Sequence, residues 1–318
     1  MASGKCQETR VFYAQAIYGR EEIDAVVDVL ENKSLTLMGG PAVAEFESRV
    51  ACLFGKDVGL MVNSGSSANL LAVAILGLMP GDEVITPALT FSTTVAPLVQ
   101  NGLVPVFVDV EPDTCNIDID LIEAMVGPKT RAMMIPNLIG NLPDWSRLRE
   151  IADQYDLKVI EDSADTIGST LNGKPTGKLS DISTTSFYAS HIVTCGGFGG
   201  AICIDDPELA RRARLLRGWG RSSSVLGESE APKDRFNMDV NGIEYDAKFV
   251  FEAQGYNFLP SEMAAAFGLV QLDRLRDYTE RRVRNFEALT AFFESYEDWF
   301  ILPRQTPETH TPWLAVPI

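Results

Sequence analysis

The sequence predicts an α/β domain built on a mainly parallel β-sheet flanked by helices. Between Val58 and Asp162, short apolar, β-rich runs alternate with helical stretches, the pattern of strands joined by helical crossovers. The runs are apolar throughout, as expected when helices cover both faces of a sheet. In chain order the predicted strands are VGLMVN, EVITPA, VPVFVDV, RAMMIPN and LKVIED. The predicted helices are SANLLAVAILG, TTVAPLVQNG, DLIEAM and WSRLREIADQY.

Further elements lie on either side of this core. Apolar residues at helical spacing predict a helix over residues 19–31, and these are Ile23, Val26, Val27 and Leu30. After the sheet-forming run AICIDD, the charged segment Pro207–Arg217 predicts a helix. The polar stretch 221–248 has no periodicity and is predicted to be a long loop or insertion. Helical periodicity over residues 261–292 then predicts one long helix that connects two domains.

These elements divide the chain into two parts. We assign residues 1–272 to an N-terminal segment and a large domain, and residues 273–318 to the connecting helix and the start of a smaller C-terminal α/β domain. The final residues, TPWLAVPI, are predicted to begin a strand. A lone strand of eight residues cannot build an independent core, so we expect the smaller domain to be truncated.

Composition excludes several classes of partner. The net charge of −17 and the pI of about 4.6 leave no basic surface for the phosphates of DNA or RNA. The N-terminus lacks the apolar stretch of a secretory signal, and no run of about 18 apolar residues is present to span a bilayer. The scattered cysteines show no CxxC spacing and are expected to be reduced thiols; they are Cys6, Cys52, Cys115, Cys195 and Cys203. We therefore expect a cytoplasmic protein without nucleic-acid, membrane or metal partners.

A first candidate site is the segment NSGSSAN at residues 63–69. It follows a predicted strand and opens a predicted helix, so that free backbone N–H groups and hydroxyls converge where the helix dipole favours an anion. This arrangement suits a phosphate group. Small polar residues at a helix start also serve as ordinary N-caps, so the segment by itself leaves both interpretations open.

A second candidate site is the segment VIEDSAD at residues 159–165, which ends a predicted strand in carboxylates. Open α/β sheets bind ligands at this carboxyl edge. A carboxylate at Asp162 can hydrogen-bond a protonated pyridine nitrogen and keep it charged, so that the ring acts as an electron sink. The alternative is an aspartate that merely caps the next turn.

Six ordered motifs together resemble the DegT/DnrJ sugar-aminotransferase family of fold-type I pyridoxal phosphate (PLP) enzymes. The motifs are GSSAN, GDEVITPALTF, VPVFVDVEPDT, VIEDSAD, SFYASH with glycines after it, and GYNFLPSEMAAAFGLVQLDRL. The resemblance covers roughly residues 15–318. It implies that the phosphate is held by Gly65, Ser66, Ser67 and Ser186. It further implies that Phe91 stacks on the pyridine ring, that Asp162 pairs with its nitrogen, and that Asn257 reaches the neighbouring subunit's phosphate in a homodimer.

One position departs from the aminotransferases of this family. They carry a lysine at the sixth position of the SFxxxK motif, where its amine forms an imine with PLP, and this chain has His191 there. Imidazole forms no stable imine, but it acts as a base near neutral pH. The same replacement characterises the family's nucleotide-sugar 3-dehydrases, and Asp165 agrees with them because ordinary aminotransferases usually have glutamine there. Alternatively, His191 is incidental in an inactive relative.

The resemblance to the 3-dehydrases implies a specific reaction. Pyridoxamine phosphate (PMP) condenses with the 4-ketone of a nucleotide-linked 4-keto-6-deoxyhexose, the histidine removes a proton from the cofactor methylene, and the 3-hydroxyl is expelled. Such enzymes serve deoxysugar biosynthesis for lipopolysaccharide or natural products. Besides this function we consider another reaction on a keto sugar by an aminotransferase-like enzyme, and a non-catalytic scaffold.

Two branches of the 3-dehydrases differ in how the cofactor is recycled. The CDP-6-deoxy-hexulose branch adds an iron–sulfur cluster held by four cysteines, and the matching segments EDSAD and GWGRSSSVLGESEAP contain none. We therefore expect no cluster. The GDP-4-keto-6-deoxymannose branch instead regenerates PMP with glutamate, which suits this chain. The run TCGGFGG at residues 194–200 is one residue longer than the usual TxGEGG and lacks its glutamate. We also expect the 318-residue chain, if truncated, to bind PMP without appreciable turnover.

Overall fold

The structure is a computed structural model that describes residues 14–33, 37–226, 232–236 and 238–316. The strands of the described residues are β1 Val58–Val62, β2 Glu83–Pro87, β3 Val104–Val108, β4 Thr130–Pro136, β5 Lys158–Asp162, β6 Thr170–Leu171, β7 Lys174–Pro175, β8 Ile182–Ser186, β9 Gly200–Ile204, β10 Met238–Val240, β11 Ile243–Tyr245 and β12 Thr309–His310. The helices are α1 Arg20–Asp28, α2 Pro41–Phe54, α3 Gly65–Leu76, α4 Ser92–Gln100, α5 Ile122–Met125, α6 Trp145–Tyr155, α7 Pro207–Arg217, α8 Ser223–Leu226, α9 Pro232–Arg235, α10 Glu262–Asp273 and α11 Leu275–Phe293.

A seven-stranded sheet in the order β1-β9-β8-β5-β4-β2-β3 forms the centre of the fold. Strand β9 pairs antiparallel with β1 and β8, and the other neighbouring pairs are parallel. The predicted α/β class with a mainly parallel sheet is confirmed. All carboxyl ends of the parallel strands lie at one edge, where ligands bind in such sheets.

The apolar runs form strands because both faces of the sheet are covered. Met133 of β4 and Ile160 of β5 are buried, and they pack on opposite faces in two separate hydrophobic clusters. Helix α3 contributes its buried face to one cluster, and α6 contributes Trp145 and Leu148 to the other. The predicted bounds of α7 are also confirmed, because Asp206 caps its first turn by accepting hydrogen bonds from the backbone of Glu208 and Leu209.

A central strand escaped the sequence prediction. Strand β8, with the sequence ISTTS, is fully buried between β5 and β9 although most of its residues are polar. Its hydroxyls are satisfied by partners far away in the chain: Thr184 Oγ1 donates to Asn69 Oδ1 at 2.6 Å, and Thr185 Oγ1 donates to the carbonyl of Ser163 at 2.9 Å. Buried polar groups are tolerated when they are hydrogen-bonded in this way.

One helix prediction is confirmed and another needs correction. The helix predicted for residues 19–31 is present as α1, which continues into a π-helical turn, Val29–Lys33; its residues Ile23, Val27 and Leu30 are 42%, 37% and 54% exposed. The single long helix predicted after residue 261 is two helices, broken at Arg274, whose φ and ψ are −96° and −2°. The Arg274 side chain binds Glu22 and so ties this break to α1.

Two further segments differ from prediction. The stretch 221–248, predicted as a long loop, contains the short helices α8 and α9 and the hairpin β10–β11. The strand predicted from Thr311 is also wrong: β12 ends at His310, and residues 311–316 form no strand. That segment instead packs against the body of the domain, because Trp313 stacks on Phe286 of α11 with ring centroids 3.7 Å apart. The backbone N–H of Leu314 donates to the carbonyl of Ile139 at 3.1 Å.

Across the described residues, no helix combines the length and the apolar character needed to cross a bilayer.

Candidate active site

The predicted phosphate site is assembled where β1 and β8 end beside the start of α3. A Cβ atom added at Gly65 would lie only 2.4 Å from Cβ of Ser186, so glycine is required for this close approach. Ser64 caps α3, since its Oγ accepts a hydrogen bond from the N–H of Ser67 at 3.1 Å. Gly65 and Ser66 lie in the first turn of α3, where backbone N–H groups have no partner within the helix and the dipole favours an anion. Four of the predicted residues are thus brought together.

We refer to Gly65, Ser66, Ser67 and Ser186 as the phosphate cradle. The glycine run 194–200 is hydrogen-bonded to the segment that leads into this cradle. The N–H of Gly199 donates to the carbonyl of Asn63 at 3.1 Å, and Gly199 has φ +128°, which only glycine adopts readily. Thr194 Oγ1 accepts from the N–H of Gly197 at 3.1 Å. The side chain of Phe198 in this run is 73% exposed.

Asp162 lies at the end of β5 with its carboxylate buried. Its Oδ2 accepts hydrogen bonds from Asn69 Nδ2 at 2.8 Å and from Thr94 Oγ1 at 2.9 Å, and its Oδ1 accepts from the N–H of Ala164 at 3.2 Å. Burial raises the pKa of the Asp162 carboxyl, although these hydrogen bonds act in the opposite direction. A buried carboxylate of this kind is complementary to a cation such as a protonated pyridine nitrogen. The motifs contained Asn69 and Thr94, but their role as partners of Asp162 was not predicted.

Asp165 accepts a hydrogen bond from the backbone of a loop residue with a strained conformation, Ile139. Its Oδ2 accepts from the N–H of Ile139 at 3.0 Å, and Ile139 has φ +61°, which is rare for a β-branched residue. Burial, together with the negative charge of Asp162, raises the pKa of Asp165 to about 6. The structure therefore places Asp165 beside Asp162 but directs one of its oxygens to the backbone.

His191 follows β8 and is held by the backbone. Its Nδ1 lies 3.3 Å from the carbonyl oxygen of Ser186, and because a carbonyl only accepts, Nδ1 carries the proton and Nε2 is the free base. The ring packs edge-on against Tyr188. Burial lowers the pKa of the imidazole, while its contact with Ser186 and the charge of Asp162 oppose this and the charge of Arg282 adds to it. The neutral imidazole is thus favoured at pH 7.

The two remaining predicted residues lie at the surface. Phe91 is 69% exposed and precedes α4, three residues before the Thr94 that binds Asp162. Its ring is therefore accessible to a ligand. Asn257 is exposed and pairs with Gly218, and the carbonyl of the next residue, Phe258, accepts from the N–H of Asn63. The backbone next to Asn257 thus contacts the end of the segment that leads into α3.

Several features bear on other chemistries. In the described ranges no group of three or more histidine, cysteine, aspartate or glutamate side chains is arranged to hold a metal ion. Cys52, Cys115, Cys195 and Cys203 are unpaired, and Cys6 lies outside the described residues. Arg282, which no motif indicated, was missed because it comes from α11, almost a hundred residues away from His191 in the sequence.

Residues 16–318 match the model of the DegT/DnrJ/EryC1/StrS aminotransferase family. The chain is 39% identical over 313 residues to the lipopolysaccharide biosynthesis protein RfbH of Salmonella typhimurium, covering 95% of this chain and 71% of the relative. It is 38% identical over 309 residues to the dTDP-4-dehydro-2,6-dideoxy-D-glucose 3-dehydratase of Saccharopolyspora spinosa, covering 94% and 66%. The structure of the E. coli GDP-4-keto-6-deoxy-D-mannose-3-dehydratase with bound hydrated PLP matches with a TM-score of 0.82 and 31% identity, over 95% of this chain and 77% of that one. The chain thus spans about two thirds to three quarters of the length of these proteins.

Proposed function

Because the chain belongs to the DegT/DnrJ/EryC1/StrS aminotransferase family of PLP-dependent sugar-modifying enzymes, we propose that it is a PLP/PMP-dependent nucleotide-sugar 3-dehydratase. Its substrate would be a nucleotide-linked 4-keto-6-deoxyhexose in deoxysugar or lipopolysaccharide biosynthesis. The observation that carries the proposal is His191, a neutral base with Nε2 free, at the position where the family's aminotransferases have their lysine. The family resemblance inferred from the motifs is confirmed by the match.

The residues present fit the cofactor. The cradle of Gly65, Ser66, Ser67 and Ser186 offers N–H and hydroxyl donors to a phosphate, and the buried Asp162 suits a pyridinium nitrogen. Phe91 is exposed and lies three residues before Thr94, the hydrogen-bond partner of Asp162, and we propose that its ring stacks on the pyridine ring. When bound, PMP supplies an amine for the sugar ketone and a ring that accepts electrons.

Proton transfer is the task of His191. Its Nδ1–H donates to the carbonyl of Ser186, which orients the ring and leaves Nε2 as the atom that would accept a proton in the reaction. The nearby charge of Asp162 would stabilise the imidazolium that results. The ring of Tyr188 lies edge-on to the imidazole. A lysine at this position could also act as a base, but it would bind PLP covalently.

Recycling of the cofactor needs a reductant, and we propose glutamate. Loss of the 3-hydroxyl releases water, and hydrolysis of the eliminated product consumes water and releases ammonia. Glutamate returns the amino group to the cofactor and becomes 2-oxoglutarate. The net reaction converts glutamate and a 4-keto-6-deoxy sugar into 2-oxoglutarate, ammonia and the 3-deoxy sugar, in which one oxygen of the sugar has been removed. No iron–sulfur cluster takes part in this scheme.

A homodimer is part of the proposal. Two observations support it: the apolar face of α1 is exposed in the single chain, and the side chain of Asn257 is exposed and accessible to a partner. Exposed apolar faces of this kind are typical of protein interfaces. We propose that Asn257 reaches the phosphate in the partner subunit.

The second candidate is an aminotransferase-like reaction on a keto sugar, which the family's name favours. The two reactions differ in their products, because transamination yields an amino sugar and keeps the nitrogen, whereas dehydration releases it as ammonia. The third candidate, a non-catalytic scaffold, would give no product and, unlike the other two, would not be stabilised against heat by added PMP.

The test is a product balance. The chain, supplied with PLP and glutamate, is incubated with CDP-, GDP- and dTDP-linked 4-keto-6-deoxyhexoses, and sugars, ammonia and 2-oxoglutarate are quantified by mass spectrometry and enzymatic assay. The proposal requires a sugar one oxygen atom lighter, with ammonia and 2-oxoglutarate in equal amounts. An amino sugar without ammonia would establish the second candidate instead. The matched control is His191→Asn, which keeps the size and polarity of the side chain but lacks a base.

A further inference from the structure

The two oxygens of the Asp162 carboxylate differ in how far the protein itself occupies them. Oδ2 accepts two hydrogen bonds, from Asn69 Nδ2 at 2.8 Å and from Thr94 Oγ1 at 2.9 Å. Among the described residues, Oδ1 accepts only one, from the N–H of Ala164 at 3.2 Å. Because each oxygen of a carboxylate has two acceptor sites, Oδ2 is saturated and Oδ1 keeps one site for a further donor.

The side-chain amide of Asn69 is held in one orientation by its neighbours. Its Oδ1 accepts a hydrogen bond from Thr184 Oγ1 at 2.6 Å, and its Nδ2 donates to the carbonyl of Thr93 at 3.1 Å as well as to Asp162. A flipped amide would turn its oxygen toward a carboxylate and a carbonyl, and both of these groups only accept hydrogen bonds. The hydroxyl of Thr184 therefore helps to point the N–H groups of Asn69 at Asp162.

The second donor, the hydroxyl of Thr94, is oriented in a similar way. Thr90 Oγ1 donates to Thr94 Oγ1 at 2.9 Å, so the one hydroxyl hydrogen of Thr94 is left for Asp162. Asn69 and Thr94 are only 4% and 1% exposed, and bulk water therefore does not compete for their bonds to the carboxylate. Helices α3 and α4 thus each direct one buried donor to the same oxygen, and β8 orients the donor from α3.

These donors determine where a proton shared between Asp162 and a ligand resides. Burial raises the pKa of the Asp162 carboxyl, and the hydrogen bonds from Asn69 and Thr94 lower it, because they are made to the ionised form. A pyridine nitrogen bound at the open site of Oδ1 stays protonated only if Asp162 is the weaker base of the two. The donors on Oδ2 therefore favour the proton on the nitrogen, where it makes the ring an electron sink.

We propose that Asn69, oriented by Thr184, is a positioning residue for Asp162. Together with Thr94 it holds Oδ2, leaves Oδ1 to bind the ring nitrogen of the cofactor, and keeps the proton of that contact on the nitrogen. The proposal rests on the proposed pairing of Asp162 with the pyridine nitrogen. It does not depend on which reaction follows, because a dehydratase and an aminotransferase both use the ring as an electron sink.

NMR of the bound cofactor tests the assignment, because the nitrogen-15 resonance of the ring reports whether the ring nitrogen carries a proton. PMP labelled with nitrogen-15 in the ring is bound to each variant, and the resonance is followed as the pH is raised. Asn69→Leu has a similar size but no donor, and Thr94→Val keeps the shape of threonine without its hydroxyl. Each should shift the proton toward Asp162 by about tenfold or more, the equivalent of one hydrogen bond to a charged group, and move the resonance toward that of neutral pyridine.

Variants of β8 separate this role from a general effect on the fold. Thr184→Val removes the hydroxyl that orients Asn69 but leaves both donors to Asp162 in place, and should shift the proton in the same direction by a smaller factor. Thr184→Ser keeps a hydroxyl and should restore the wild-type resonance. The matched control is Thr185→Val, which removes an equally buried hydroxyl that donates to the carbonyl of Ser163, and it should leave the ring nitrogen protonated.

The outcomes that contradict the proposal are distinct from those that contradict the proposed reaction. A wild-type resonance in Asn69→Leu would overturn it, as would an equal shift in Thr185→Val. If Asn69→Leu does not fold or hold PMP, an unchanged resonance in Thr184→Val would overturn it instead. A neutral ring nitrogen in the wild type would overturn both this role and the pairing of Asp162, whereas the predicted shifts with a failed product balance would leave the role of Asn69 standing.

Discussion

Replacing Asp165 with asparagine should stabilise the folded chain at alkaline pH. The pKa of this carboxyl is raised to about 6 by burial and by the charge of Asp162, whereas its ordinary value is 3.8. A carboxyl whose folded-state pKa lies above its unfolded value favours folding most when it is protonated. That contribution is present below about pH 4 and is lost as the pH rises through about 6. Asparagine carries no charge and avoids the loss.

The size of the effect follows from the two pKa values. The difference between about 6 and 3.8 corresponds to about 3 kcal/mol at pH 8, since one pKa unit is worth about 1.36 kcal/mol. The hydrogen bond from the N–H of Ile139 opposes the rise in pKa and is already contained in this difference, and the amide oxygen of the introduced asparagine can accept the same bond. We therefore expect Asp165→Asn to raise the free energy of unfolding by about 3 kcal/mol more at pH 8 than near pH 4, where its effect is about zero.

Urea denaturation without added cofactor, repeated between pH 4.5 and 8.5, measures this directly. The control is Asp181→Asn. The pKa of Asp181 is lowered because, although burial raises it, the N–H of Val159 and the charges of Lys158 and Arg149 outweigh burial. Its contribution is present above about pH 4, so this variant should be less stable by a constant amount over the whole range. A stability difference for Asp165→Asn that does not change with pH would refute the reasoning.

Three further predictions concern the cofactor site. Borohydride reduction of the PLP-loaded chain followed by peptide mapping should label no active-site lysine. The variant His191→Lys should gain a stoichiometric label and lose the elimination reaction. A labelled lysine in the wild type would contradict the assignment of His191. The protein purified without oxygen should contain no stoichiometric iron and sulfide, and their presence would direct attention to Cys195 and Cys203. Asn257→Ala should weaken PMP binding by about 0.5–1.5 kcal/mol for a neutral hydrogen bond, or up to about 3 kcal/mol for a charged one, and a monomer that binds PMP tightly would contradict the shared site.

Local sequence patterns predicted the strands and helices that are encoded by their own residues. Strands β1 to β5 are apolar runs bounded by turns, and α7 carries its own N-cap and proline at its start. The position of Asp162 at the end of a strand likewise follows from a short motif, whereas the strand that ends at Ser186 was not predicted.

Local patterns failed where a segment depends on distant contacts. The break between helices α10 and α11 lies at Arg274, and the side chain of Arg274 donates a hydrogen bond to Glu22, some 250 residues earlier in the chain. Residues 311–316 have β-forming composition, yet they pack as an irregular segment because Trp313 stacks on Phe286.

By itself, the sequence determined the α/β class, the family and the unusual histidine, because periodicity and ordered motifs are properties of neighbouring residues. Only the tertiary structure decided that the polar run ISTTS is a central strand, since its hydroxyls need Asn69 and Ser163 as partners. It also placed the hydroxyl of Thr94 on the carboxylate of Asp162. The physical reason is that a buried polar or charged group is tolerated only with a partner, and here the partners come from elements far apart in the chain.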